Sequence, residues 1–125
     1  MKNIKKMGIW MDHSNAYLME LANDKIVTNR VVSELSSPKA EFDFYASEKL
    51  VHRKEHHLQL NFFYKISNII RKFQNVVLFG PTKAKNELFN LIKTNHLFKG
   101  IKIEVKDTDR MTEARMQVFT REYFK

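Results

Sequence analysis

Val76, Val77, Leu78 and Phe79 form a wholly apolar run that ends at Gly80-Pro81. The run is too short for a helix, it opens on β-branched residues, and a breaker pair closes it, so it reads as a strand. It has no polar side to turn to water, which is the signature of a central strand buried on both faces. Such a strand needs a covering layer above and below it, and the rest of the chain has to supply both.

The flanking patterns meet that requirement. Residues 55–73 read as a long helix, with Phe62, Ile66, Ile69, Ile70 and Phe73 at helical spacing. A second helix is expected from Thr82 to Asn95, with Ala84, Leu88, Leu91 and Ile92 on one face. Upstream, residues 7–11 make an apolar strand with Ile9 and Trp10 on opposite sides. The polar turn Asp12-His13-Ser14-Asn15 then leads to a returning strand over 16–22. Asn23-Asp24 turns the chain again into a third strand over 25–33, so the opening is an antiparallel meander. Downstream, Ile101, Ile103 and Val105 alternate in a last strand over 100–106. Thr112 caps a final helix whose inner side carries Met116, Phe119 and Tyr123.

The order is therefore β-β-β-α-β-α-β-α. A meander followed by β-α units predicts an α/β, three-layer, ribonuclease-H-like domain around a mixed five-stranded sheet. At 125 residues, one domain over 1–125 is expected. Residues 34–54 break the pattern: after Ser36-Ser37-Pro38 they show no clean period and read as an irregular excursion with room for a short helix.

The formal charge is +8 and the pI about 9.7. Such a balance bears on partners, and RNA or the ribosome is the usual polyanion for a small basic domain. No apolar stretch reaches the roughly 18 residues of a membrane span, so no membrane partner is expected. The basic segment Met1 to Met7 is not followed by the apolar run of a signal peptide. Without cysteine there is neither disulfide nor thiolate metal site, which fits the cytoplasm.

Three blocks resemble the middle domain of the archaeo-eukaryotic peptide-release-factor family and short bacterial release-factor-like proteins of the translational machinery. Met7 to Leu21 is similar to that domain's opening hairpin. Val76 to Leu88 is similar to its strand, glycine turn and helix, and Asp107 to Phe119 is placed like its last helix. The resemblance implies a ribosome- or RNA-associated role. In release factors the excursion before the long helix carries the Gly-Gly-Gln that positions water for peptidyl-tRNA hydrolysis. Here Glu34 to Arg53 contains neither glycine nor glutamine. A tight backbone approach to an ester needs glycine, so no termination activity, catalytic residue or cofactor is expected.

Several constellations remain. Lys49, Arg53 and Lys54 with His52, His56 and His57 form the densest basic cluster, and Phe42, Phe44 and Tyr45 stand close enough in sequence to stack on bases. Lys2, Lys5 and Lys6 either extend that patch or form a solvated tail. Lys83 and Lys85 follow the Gly80-Pro81 turn at a helix N-terminus, a second phosphate-contact candidate. No Gly-x-x-x-x-Gly-Lys accompanies them, so nucleotide hydrolysis is not indicated. His52-Arg-Lys-Glu-His56 matches the H-x-x-E-H string of inverted zincins, but no third ligand is marked, and an exposed polar helix start explains it as well. Asp12 stands where ribonuclease-H-like nucleases hold their first metal ligand, with Glu20, Asp107 and Asp109 as possible partners; its alternative is a turn residue. The competing functions are a metal-dependent nuclease and a protein-interaction module.

Overall fold

The computed structural model describes residues 4–23, 25–34 and 48–125, with the backbone alone for 48–52. Strands β1 (Lys6–Met11), β2 (Asn15–Ala22) and β3 (Lys25–Val32) form the antiparallel meander. Helix α1 (Glu48–Ile70) crosses to β4 (Asn75–Gly80), α2 (Ala84–Ile92) to β5 (Lys102–Asp107), and α3 (Glu113–Tyr123) closes the chain. The sheet order is β3-β2-β1-β4-β5, with β1, β4 and β5 parallel. This is the expected mixed five-stranded α/β architecture.

The two central strands are those with no polar face. On β1, Met7, Ile9 and Met11 meet α1 and α2 through Phe62, Phe63, Ile66, Ile70 and Leu88. From the opposite face, Trp10, Val77 and Phe79 meet α3 through Met116, Phe119 and Tyr123. The alternation of neighbours on β4, with Val76 and Leu78 on one side and Val77 and Phe79 on the other, is the period of two that a strand imposes. Two glycines serve this packing. At Gly8 a Cβ would lie 2.3 Å from Thr120 Oγ1, so glycine lets α3 lie directly on β1. At Gly80 the backbone takes φ +149° and a Cβ would lie 2.2 Å from the Met11 carbonyl oxygen, so only glycine turns the chain there.

Three boundaries differ from expectation. Helix α1 starts at Glu48, not at 55, so residues 48–54 belong to the helix and not to the excursion. At about 1.5 Å per residue its 23 residues run roughly 34 Å, whereas the six residues of β4 run about 20 Å. The α1 residues that join the core, Phe62, Phe63, Ile66 and Ile70, lie in its later turns, so their stripe does not mark where the helix begins. Its other end comes earlier, at Ile70. The second helix stops at Ile92, and the separate 3₁₀ turn His96–Phe98 folds Phe98 back onto the core. Residues 35–47, which carry Phe42, Phe44 and Tyr45, lie outside the described residues, as do Met1, Lys2, Asn3 and Asp24.

Candidate nucleic-acid interface

The parallel strands end together, and around that carboxyl edge meet the β1–β2 turn, the β4–α2 turn and the β5–α3 loop. In open α/β sheets this edge is where ligands gather, because helix N-termini and loops converge on it. Here it is laced together by side chains. Asp12, 8% exposed, accepts hydrogen bonds at Oδ1 from the backbone N–H of Ser14 (2.8 Å) and Asn15 (2.7 Å). Its Oδ2 faces Arg110 at 3.3 Å. From the same turn, His13 Nε2 meets Glu87 Oε2 of α2 at 3.0 Å, and the Thr108 N–H donates to the Gly80 carbonyl.

Asp12 is therefore a turn residue paired with a guanidinium. Glu20 pairs in register with Met7, whereas Asp12 follows Met11, so Glu20 lies at the far end of the sheet. Asp107 is engaged with Lys85, and Asp109 joins no cluster. No group of three or more acidic or imidazole side chains converges among the described residues. His56 is exposed on α1; the side chain of His52 lies outside the described residues.

The expected phosphate contacts divide. Arg53, Lys54, His56 and His57 occupy the first half of α1, where they lie at its surface. The position of Lys49 is on the same helix, with its side chain outside the described residues. Lys83 is exposed at the start of α2. The residue two places on corrects the sequence reading: Lys85 is 1% exposed and presents no charge to a ligand. Its Nζ donates to the Thr82 carbonyl at 2.6 Å and meets Asp107 Oδ1 at 2.8 Å, tying the first turn of α2 to the end of β5. Thr82 Oγ1 also accepts the Ala84 N–H, so internal groups already serve this turn. Lys5 and Lys6 lie at the start of β1, across the sheet from the start of α1, and do not extend that cluster. Sequence reasoning missed both Arg110, which neutralises Asp12, and this separation; neither leaves a local pattern.

The three blocks singled out by sequence are the segments that meet at the carboxyl edge, and solved structures match the whole arrangement. Pelota from Archaeoglobus fulgidus superposes over 97% of this chain and 32% of its own, with a TM-score of 0.62 and 11% identity. The Thermoplasma acidophilum Pelota protein matches 93% of this chain and 31% of its own (TM-score 0.60, 15% identity). This is a fold that Pelota contains. An archaeal translation termination factor shares it too, over 96% of this chain and 39% of its own (TM-score 0.55, 16% identity). The chain thus spans about a third of the length of the Pelota proteins it matches. No family model and no curated protein matches the sequence. At these identities the likeness to Pelota is one of fold, in agreement with the resemblance carried by the three blocks.

Proposed function

We propose that this chain is a non-catalytic accessory protein that associates with the ribosome or with structured RNA, in translation rescue or hibernation. The observation that carries the reading is the fold shared with Pelota and an archaeal translation termination factor over at least 93% of the chain. Its charge of +8 supplies the attraction that a polyanionic partner needs.

Absence of peptidyl-tRNA hydrolysis belongs to the same reading. The chain has three glycines, at 8, 80 and 100. None is in the segment before α1, and Gly8 and Gly80 are committed to packing and turning. Docking through basic residues is part of the proposal, with Arg53, Lys54, His56, His57 and Lys83 as one contact surface. Lys85 is left out because it is buried.

Sedimentation of the purified chain with ribosomes at low and high salt tests the reading. Co-sedimentation that salt removes is the expected result. A chain that stays in the supernatant at low salt refutes it.

A further inference from the structure

The opposite edge of the sheet, where β1, β4 and β5 begin, gathers cations from four separate parts of the sequence. Gln74 links them: its side-chain carbonyl accepts the Lys5 N–H at 2.7 Å, its own N–H donates to the Lys5 carbonyl, and its carbonyl accepts the Lys102 N–H. The register places Lys6 and Lys102 on either side of Asn75. Neighbouring strands lie about 4.8 Å apart, so the starts of the three parallel strands fall within roughly 10 Å of one another. Arg71 and Lys72 leave the end of α1 just before Gln74. Lys93 ends α2, and Lys99 follows the 3₁₀ turn.

Lys5, Lys6, Arg71, Lys72, Lys93 and Lys99 have no carboxylate within ion-pair distance among the described residues. Lys5, Arg71, Lys72 and Lys99 are exposed, and Lys6 is half-buried. On the α1 side of the edge the described acid is Glu20; Glu104 and Glu122 lie on the α3 side, which Lys6 and Lys102 also face because they alternate with Met7 and Ile103. The carboxyl edge is different in kind: Asp12, Glu34, Glu87, Asp107, Asp109 and Glu113 are interspersed there with its cations. Helix ends attract cations too, but the C-termini of α1 and α2 carry only about half a negative charge each. Lys5, Arg71, Lys72, Lys93 and Lys99 together exceed that several-fold.

Beside this row lies a cavity of about 230 Å³ between α1 and the end of α2, lined by Tyr64, Asn68, Arg71, Asn95, Leu97 and Phe98. It is smaller than the roughly 300–1,000 Å³ of drug-sized or cofactor pockets. Tyr64 and Leu97 are 50% and 47% exposed at its mouth. An exposed ring beside a guanidinium, next to a row of cations, is the combination that holds an unstacked base and its phosphates.

We propose that the amino edge of the sheet, from Lys5 across Arg71 and Lys72 to Lys93 and Lys99, is the chain's principal RNA-binding surface. Single-stranded RNA runs its phosphates along the cations and places a base against Tyr64. The inference rests on the RNA-associated reading above and names its surface.

The test is fluorescence anisotropy of a labelled oligouridine of about 16 nucleotides, titrated at several salt concentrations. The wild-type chain is compared with R71Q/K72Q/K93Q/K99Q, with Y64A, and with R53Q/K83Q from the other end. Thermal unfolding checks that each variant is folded, and K72Q/K99Q, which leaves Arg71 and Lys93 in place, stands in if the quadruple variant is not. The quadruple variant should bind at least about tenfold more weakly, with a salt slope shallower by up to about 3, since each phosphate neutralised on a single strand adds ~0.7 to the slope. Y64A should weaken binding about tenfold with an unchanged slope. R53Q/K83Q, on the contact surface named above, should weaken binding less than the quadruple variant does, with a slope shallower by at most about 1.4. Loss in R53Q/K83Q with retention in the quadruple variant overturns the surface and leaves the RNA-associated reading standing. So does preferential binding to anionic phospholipid vesicles by a chain that still co-sediments with ribosomes. A wild-type chain that binds neither oligouridine nor ribosomes at low salt refutes both.

Discussion

Replacement of Gly8 by alanine tests how α3 is held on the sheet. The added methyl would lie 2.3 Å from Thr120 Oγ1, 2.8 Å from its Cγ2 and 3.0 Å from its Cβ. Thr120 is fully buried and its hydroxyl donates to the Met116 carbonyl at 3.0 Å, so the side chain has nowhere to turn. Relief has to come from a shift of α3 against Trp10, Met19 and Phe79, which share its core. Overpacking of this kind costs about 1–3 kcal/mol. Alanine's lower backbone entropy in the unfolded chain returns less than about 1 kcal/mol of that. A net destabilisation of about 1–2 kcal/mol is expected. T120A alone loses a buried methyl and hydroxyl, also about 1 kcal/mol. The double variant removes the clashing atoms and leaves only the 3.0 Å approach to Cβ. It should therefore be no less stable than T120A, a coupling of about 1–2 kcal/mol within the range for touching residues. Urea unfolding followed by the fluorescence of Trp10, 4% exposed on the same face, measures all three variants. Additive single effects would show that α3 does not seat on Gly8.

Three more perturbations separate structural from chemical roles. D12A removes the acceptor of two turn N–H groups and should cost about 2–4 kcal/mol, D12N less than about 1.5, with neither stability changed by magnesium; stabilisation of wild type alone by magnesium would restore a metal role for Asp12. D107A should leave the buried Lys85 ammonium without its carboxylate and with the Thr82 carbonyl, and cost about 1–2 kcal/mol, whereas K85M should cost less. Should K85M instead lose RNA affinity at unchanged stability, Lys85 is a ligand contact. The Tyr123 hydroxyl is pushed up to about 12, first by burial and then by its hydrogen bond to Glu104, whose carboxyl is held below its ordinary 4.5 chiefly by that same bond. The tyrosine contribution is complete below about pH 10 and is lost as pH rises from there toward 12; that of Glu104 is present above about 4.5 and lost on acidification. Y123F should flatten the alkaline decline and raise the Glu104 titration seen by NMR. An unmoved Glu104 titration would count against the pair.

The basic edge shows why the site was harder to read than the fold. A strand or helix declares itself over a few residues, because burial imposes a period of two or 3.6 on the side chains that face a core. Convergence of charge has no period. Lys5, Arg71, Lys93 and Lys99 become neighbours only because each crossover returns the chain to the start of the next parallel strand. By the same route Asp12 meets Arg110, 98 positions away.

Residue type and spacing within single elements were enough to specify the element order, the central places of β1 and β4, the turns and the cap of α3, and the want of Gly-Gly-Gln. Folding was needed to bury Lys85 while Lys83 stays exposed, to begin α1 before its apolar stripe, and to gather cations on the edge away from Arg53. Those outcomes depend on which surfaces face each other in the folded chain, and long-range packing sets that independently of any local pattern.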